Sequence, residues 1–140
     1  MTEKIVKAGV FGGLIILIAA ALFLPDWMKD KHKEKAMARV FQDQPVILEF
    51  TTPTCGVCKE MKPLVKRLEE DYEGTVRFVV LDTQSDMGRA LLDDFPVEYV
   101  PSFYLMIDKD TQFEHFEGQV PEQAFRAMIE QMLKKSGESS

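Results

Sequence analysis

The segment VILEFTTPTCGVCKEMKP, residues 46–63, restricts the fold of this chain more than any other. With Pro45 before it, the apolar run of residues 45–50 reads as a short buried strand bounded by a Thr/Pro cluster. After it, Met61, Leu64, Val65, Leu68 and Tyr72 recur at helical spacing, with charges on the opposite face and Gly74 ending the run. The only two cysteines of the chain, Cys55 and Cys58, stand at the turn between strand and helix. A cysteine at a helix N-terminus meets unpaired backbone N–H groups and the positive end of the helix dipole, and both stabilise a thiolate. Thiols so placed have pKa values lowered to roughly 3.5–7.5 from about 8.5. Cys58, one turn in, is expected to be more buried and less ionised. The division of labour follows: Cys55 attacks a partner's disulfide, and Cys58 attacks the resulting mixed disulfide to release the product.

The remaining elements fall into a definite order. Residues 26–42 have helical character, with Trp27, Met28, Ala36, Met37, Val40 and Phe41 as apolar members. VRFVVLD (76–82) is a second strand, and DMGRALLDDF (86–95) a short helix weakened by Gly88. SFYLMI (102–107) and QFEHFE (112–117) form a hairpin across DKDT. Pro121 opens a final helix whose apolar face is Phe125, Met128, Ile129, Met132 and Leu133. Pro63, inside the helix after the cysteines, is expected to kink it. The first two strands, joined by a crossover helix, must be parallel and the last two antiparallel. The expectation is an α/β fold with a mixed central sheet and helices on both faces.

Other uses of the cysteine pair carry less weight. A zinc or iron–sulfur site needs about four ligands and one CxxC supplies two. His32 and His115 are distant in sequence, so a metal would require two copies sharing four thiolates, and no metal is expected. Haem attachment needs CxxCH, and residue 59 is Lys. Two neighbouring core cysteines without chemistry are the bland alternative.

Ahead of this domain, Ala8–Leu24 is an uncharged apolar run stopped by Pro25 and Asp26. Counting Ile5 and Val6 and letting Lys7 snorkel gives about twenty residues, the length that crosses a hydrocarbon core of roughly 30 Å. Roughly 100 residues of domain have nowhere to bury a helix apolar on every side. Residues 1–25 are therefore expected to be an uncleaved transmembrane anchor that contacts the bilayer through residues 5–24, with a signal peptide as the alternative. Residues 26–44 are a helical linker packing its last turns on the core, 45–136 the folded domain, and 137–140 a frayed tail. Residues 1–40 carry seven Lys/Arg against four acids, whereas 41–140 carry ten against nineteen. So acidic a domain repels phosphate backbones, and nucleic acid is not expected as a partner.

Residues 45–135 resemble the thioredoxin family. VILEFTTPTCGVCKEMKP resembles its strand–CxxC–helix segment, and FPVEYVPSFYLM resembles the segment around its cis-proline, which places Pro101 opposite the cysteines with Val100 before it. HFEGQV resembles the later strand end whose glycine, Gly118, lines the substrate groove. The resemblance implies a redox-active Cys55–Cys58 disulfide, no bound cofactor, and substrate docking on Thr54, Gly56, Val57, Val100, Pro101 and Gly118. Departures are instructive. The family's common Trp is Thr54 and its Gly-Pro dipeptide is Gly-Val, so Val57 restores a backbone N–H. Glu49 stands where thioredoxins keep a buried Asp that deprotonates the second cysteine. It can act through a water with a pKa raised by burial, or point partly to solvent and do nothing. The Lys that commonly accompanies that acid is Val80. The family's first strand is not evident, so four strands are expected, with five as the alternative.

The implied function is a membrane-anchored thiol–disulfide oxidoreductase acting on protein thiols and disulfides near the membrane, such as secreted thiol proteins or apocytochromes. A redox partner, itself a membrane protein in one version, supplies or accepts its electrons. Reduction is favoured over oxidation. The alternative is a thioredoxin-fold adaptor or redox-sensing module on a membrane complex, or a metal carrier at the membrane surface. Anchored members of the family face outward, which favours an extracytoplasmic domain. The basic flank Lys29–Arg39 argues instead for the cytoplasmic side.

Overall fold

The computed structural model describes residues 18–21, 31–42 and 44–138. Residues 18–21 are helical, and a helix over 31–40 is named α1. Next come β1 (Val46–Thr51), α2 (Gly56–Asp71), β2 (Arg77–Asp82), α3 (Asp86–Leu91), β3 (Ser102–Met106), β4 (Gln112–Glu117) and α4 (Glu122–Glu138). The strands form a four-stranded sheet in the order β2-β1-β3-β4. β1 pairs parallel with β2 and antiparallel with β3, and β3 pairs antiparallel with β4. The expected succession of elements and the mixed sheet are both present.

β1 is central because its side chains are apolar on both faces. Val46, Leu48 and Phe50 pack with Ala36 and Val40 of α1 and with Leu91 and Phe95. Ile47 faces the opposite way, into a second core with Met61, Val65 and Leu68 of α2 and Phe125, Ile129 and Met132 of α4. By strand alternation Glu49 shares the Ile47 face. The single acid in an otherwise apolar strand therefore lies beneath the helix that carries the cysteines.

Two boundaries differ from the sequence reading for visible reasons. α3 stops at Leu91 rather than near 95, and Phe95 N–H donates to the Leu91 carbonyl in the closing turn. Phe95 then turns inward onto Phe50 and Tyr104, at ring separations of 6.1 and 5.0 Å. Pro96 follows, and a residue before proline avoids helical backbone. Gly88, read as a weakness of α3, is where that helix touches the end of β2: a Cβ there would meet the Asp82 carbonyl oxygen at 1.9 Å. Pro63 sits within α2, which runs on to Asp71. Among the described residues no helix is long and apolar enough to cross a membrane. The anchor expected over 1–25 lies, apart from residues 18–21, outside the described residues.

Candidate active site

β1 ends at Thr51, and the turn 52–55 delivers Cys55 to the N-cap of α2 with extended backbone, φ −70° and ψ 110°. The Cys58 backbone N–H donates to Cys55 Sγ at 3.0 Å. In place of a capping hydroxyl or carboxylate, a sulfur takes one of the helix's unpaired donors. In the dithiol state the same donor would face the Cys55 thiolate and favour it. Cys55 is half-buried and Cys58 buried, and the two are joined as a disulfide with their Cα atoms 5.3 Å apart. The N–H that reaches the sulfur belongs to Cys58; Val57, whose N–H the sequence suggested for this role, is 39% exposed beside the disulfide.

The opposite wall comes from the loop entering β3. The Val100–Pro101 peptide bond is cis, and the Val100 carbonyl oxygen lies 3.7 Å from Cys55 Sγ. Gly118 closes this wall: its N–H donates to the Pro101 carbonyl at 2.7 Å, with φ at +80°. A Cβ at Gly118 would meet nothing within 4 Å, so the left-handed backbone, not crowding, is what favours glycine. Side chains brace the same loop. The Glu98 N–H donates to Glu117 Oε1 at 2.9 Å, and the Tyr104 hydroxyl donates to the Pro96 carbonyl. Ser102 Oγ lies 2.9 Å from His115 Nε2, and His115 stacks on Tyr104 with ring centres 4.0 Å apart. His115 therefore belongs to the scaffold behind the cis-proline. Among the described residues no group of three potential metal ligands exists.

Cys55, Cys58, Val100, Pro101 and Gly118 are thus brought together, with Thr54, Gly56 and Val57 exposed along one rim. Glu49 lies on β1 and borders the same cavity as Cys55 and Cys58. It is 6% exposed, which overturns the option that it points to solvent. Burial pushes its carboxyl up from 4.5 to about 7, against a smaller opposing pull from Lys62. Glu49, Cys58 and Lys62 line one cavity of about 480 Å³, which Val80 also borders. Val80, in register with Glu49 on the edge strand, is 59% exposed.

Two residues escaped the sequence reading. Lys62 could have been found, since it follows Cys58 by one helical turn and so shares its side of α2. Tyr99, 71% exposed just before Val100, had no local signal, because exposure depends on how the loop is held.

A strand–CxxC–helix turn facing a cis-proline on a four-stranded mixed sheet defines a thioredoxin-like redox protein. The thioredoxin family profile matches residues 28–131, and the chain belongs to that family, whose members are thiol–disulfide oxidoreductases. The thioredoxin-like protein HCF164, chloroplastic, of Oryza sativa subsp. japonica is 32% identical over 82 residues, covering 59% of this chain and 31% of that protein. The chain thus spans about a third of the length of that relative. Thioredoxin of Synechocystis sp. is 31% identical over 90 residues, covering 64% of this chain and 80% of that protein. Among solved structures, the germline-specific thioredoxin Deadhead of Drosophila melanogaster superposes with a TM-score of 0.56 at 27% identity, covering 74% of this chain and 92% of that one.

Proposed function

We propose that this protein is a membrane-tethered thiol–disulfide oxidoreductase that reduces disulfides of partner proteins. The observation that carries the exchange chemistry is the placement of Cys55: its sulfur accepts the Cys58 N–H at 3.0 Å and faces the carbonyl before a cis-proline. In the dithiol form the Cys55 thiolate attacks one sulfur of a target disulfide. A Cys55–target disulfide forms, and the target's other sulfur leaves as a thiolate. Cys58 then passes its proton towards Glu49, and its thiolate attacks Cys55 Sγ. The Cys55–Cys58 bond forms as the target's second thiolate departs. Each cycle leaves the target reduced by two electrons and the protein oxidised, so a dithiol donor must restore it. The bonded pair in this structure is the product state of that direction.

Glu49 suits the proton acceptor's role, since a carboxyl titrating at about 7 accepts and returns a proton near neutrality. A cavity of about 480 Å³ has room for several waters at roughly 30 Å³ each to carry the proton from a buried thiol. Thr54, Gly56, Val57, Val100, Pro101 and Gly118 form the docking rim for an extended target segment. Residues 1–25 anchor the chain, 26–44 link, 45–136 carry the chemistry and 137–140 trail. Support for the anchor is the apolar run Ala8–Leu24 and its length. The domain faces outward.

The test is trapping by the full-length Cys58→Ser protein in its native membrane, read on non-reducing gels. Mixed-disulfide adducts that vanish when Cys55 is also replaced establish Cys55 as the nucleophile, and their identities report the side of the membrane. Absence of adducts, together with a wild-type protein unable to cycle between dithiol and disulfide, would leave the adaptor reading in place.

A further inference from the structure

Glu49 lies on β1, buried and walled by apolar side chains on its own sheet: Phe103 flanks it on β3 and Val80 on β2. Its opening is the cavity on the α2 side, which Cys55 and Cys58 both border. The other ionisable groups around that cavity are Cys55 from the turn before α2, Cys58, Lys59, Lys62, Lys66 and Glu69 from α2 and Asp82 from the end of β2. Cys58 and Lys62 are four residues apart on one helix, and such residues stack on one face. The thiol that must lose a proton and the lysine thus look into the same space as the acid that takes it. Among the surrounding lysines it is Lys62 whose charge acts on Glu49, lowering its pKa against the larger effect of burial.

From this juxtaposition we infer that Lys62 is the positioning residue of the resolving step: from α2 it stabilises the Glu49 carboxylate and so sets the pH at which Cys58 can be deprotonated. The inference rests on the exchange chemistry proposed above. It assigns Lys62 no contact with the target. Lys62 is exposed, so its charge is partly screened, and the effect is one of tuning. Neutralising it removes an attraction that favours ionised Glu49, and the carboxyl then ionises at higher pH.

The experiment follows the reduced full-length protein reacting with dithiobis(nitrobenzoate) in stopped flow between about pH 5 and pH 9. The first thionitrobenzoate is released by attack of Cys55 and the second by attack of Cys58 on the mixed disulfide. Lys62→Met is expected to leave the first release unchanged. It moves the inflection of the second upward by about half a pH unit, a loss of about threefold at neutral pH. Lys62→Arg should restore the wild-type profile. In a Glu49→Gln background, where the inflection is gone, Lys62→Met should change nothing further. A second-release profile unmoved by Lys62→Met overturns the assignment. So does a shift that persists in the Glu49→Gln background, which would make the lysine act on the thiol directly. If Glu49→Gln keeps the wild-type inflection, the proton-acceptor reading of Glu49 fails, and the inference with it. If the wild type never releases the second product, the exchange chemistry itself is refuted.

Discussion

Replacing Glu49 by Gln should make the protein more stable, and only above the pH at which an ordinary carboxyl ionises. The folded protein holds the Glu49 proton up to about 7, whereas the unfolded chain releases it near 4.5. Between those values the native state binds more protons than the unfolded state, so stability falls as pH rises through the interval and is level on either side. At 1.36 kcal/mol per pH unit the loss amounts to about 3 kcal/mol, an upper figure because the cavity admits solvent. Gln resembles the protonated acid in size and stays neutral. The variant should therefore match the wild type near pH 4 and exceed it by up to about 3 kcal/mol near pH 8. Urea unfolding of the oxidised full-length proteins reads this directly. With m near 1–3 kcal/mol/M, the variant's midpoint should lie higher by about 1–3 M at the alkaline pH alone. Comparing variant with wild type cancels the other titrating groups. An equal difference at both pH values would show that Glu49 is not held in a low-dielectric site, and its placement beneath Cys58 would lose its chemical meaning.

Three further outcomes test the frame around the site. Gly118→Ala must place a side chain at φ +80°, which costs roughly 1–2 kcal/mol. Its melting temperature should drop, and exchange should slow as the Gly118 N–H pulls away from the Pro101 carbonyl, whereas crowding alone predicts no change. Gly88→Ala drives a methyl onto the Asp82 carbonyl, since the ideal Cβ lies 1.9 Å from that oxygen. A destabilisation of roughly 1–3 kcal/mol is expected in denaturant titrations, against the small gain in helix propensity that an unobstructed helix would show. Tyr99→Ala removes an exposed ring next to Val100. It should lower kcat/KM for protein disulfides by about tenfold, the equivalent of one lost aromatic contact, while reaction with a small disulfide is unchanged. An equal loss for both substrates would place Tyr99 in the catalytic geometry instead of the docking surface.

The order of elements, the parallel and antiparallel pairings, and the location of both cysteines at a strand–helix turn were legible in the sequence. Each is written in residues close together along the chain: short apolar runs in the strands, a periodicity of 3.6 in the helices, and a Thr/Pro cluster between them. The cis bond at Pro101 was legible only through resemblance, because a single X-Pro pair does not announce its isomer. What tertiary structure alone decided concerns groups far apart in sequence. Glu49 could have pointed either way until helices covered both faces of β1. His115 meets Ser102 only because β3 and β4 pair with Tyr104 opposite His115. Gly88 earns its place from the approach of α3 to the end of β2. Lys62 borders the Glu49 cavity because α2 lies across the sheet with Cys58 buried and Lys62 one turn further on at the exposed margin. Local propensity is set by neighbours in the chain; burial and electrostatic coupling are set by neighbours in space, and only packing determines which those are.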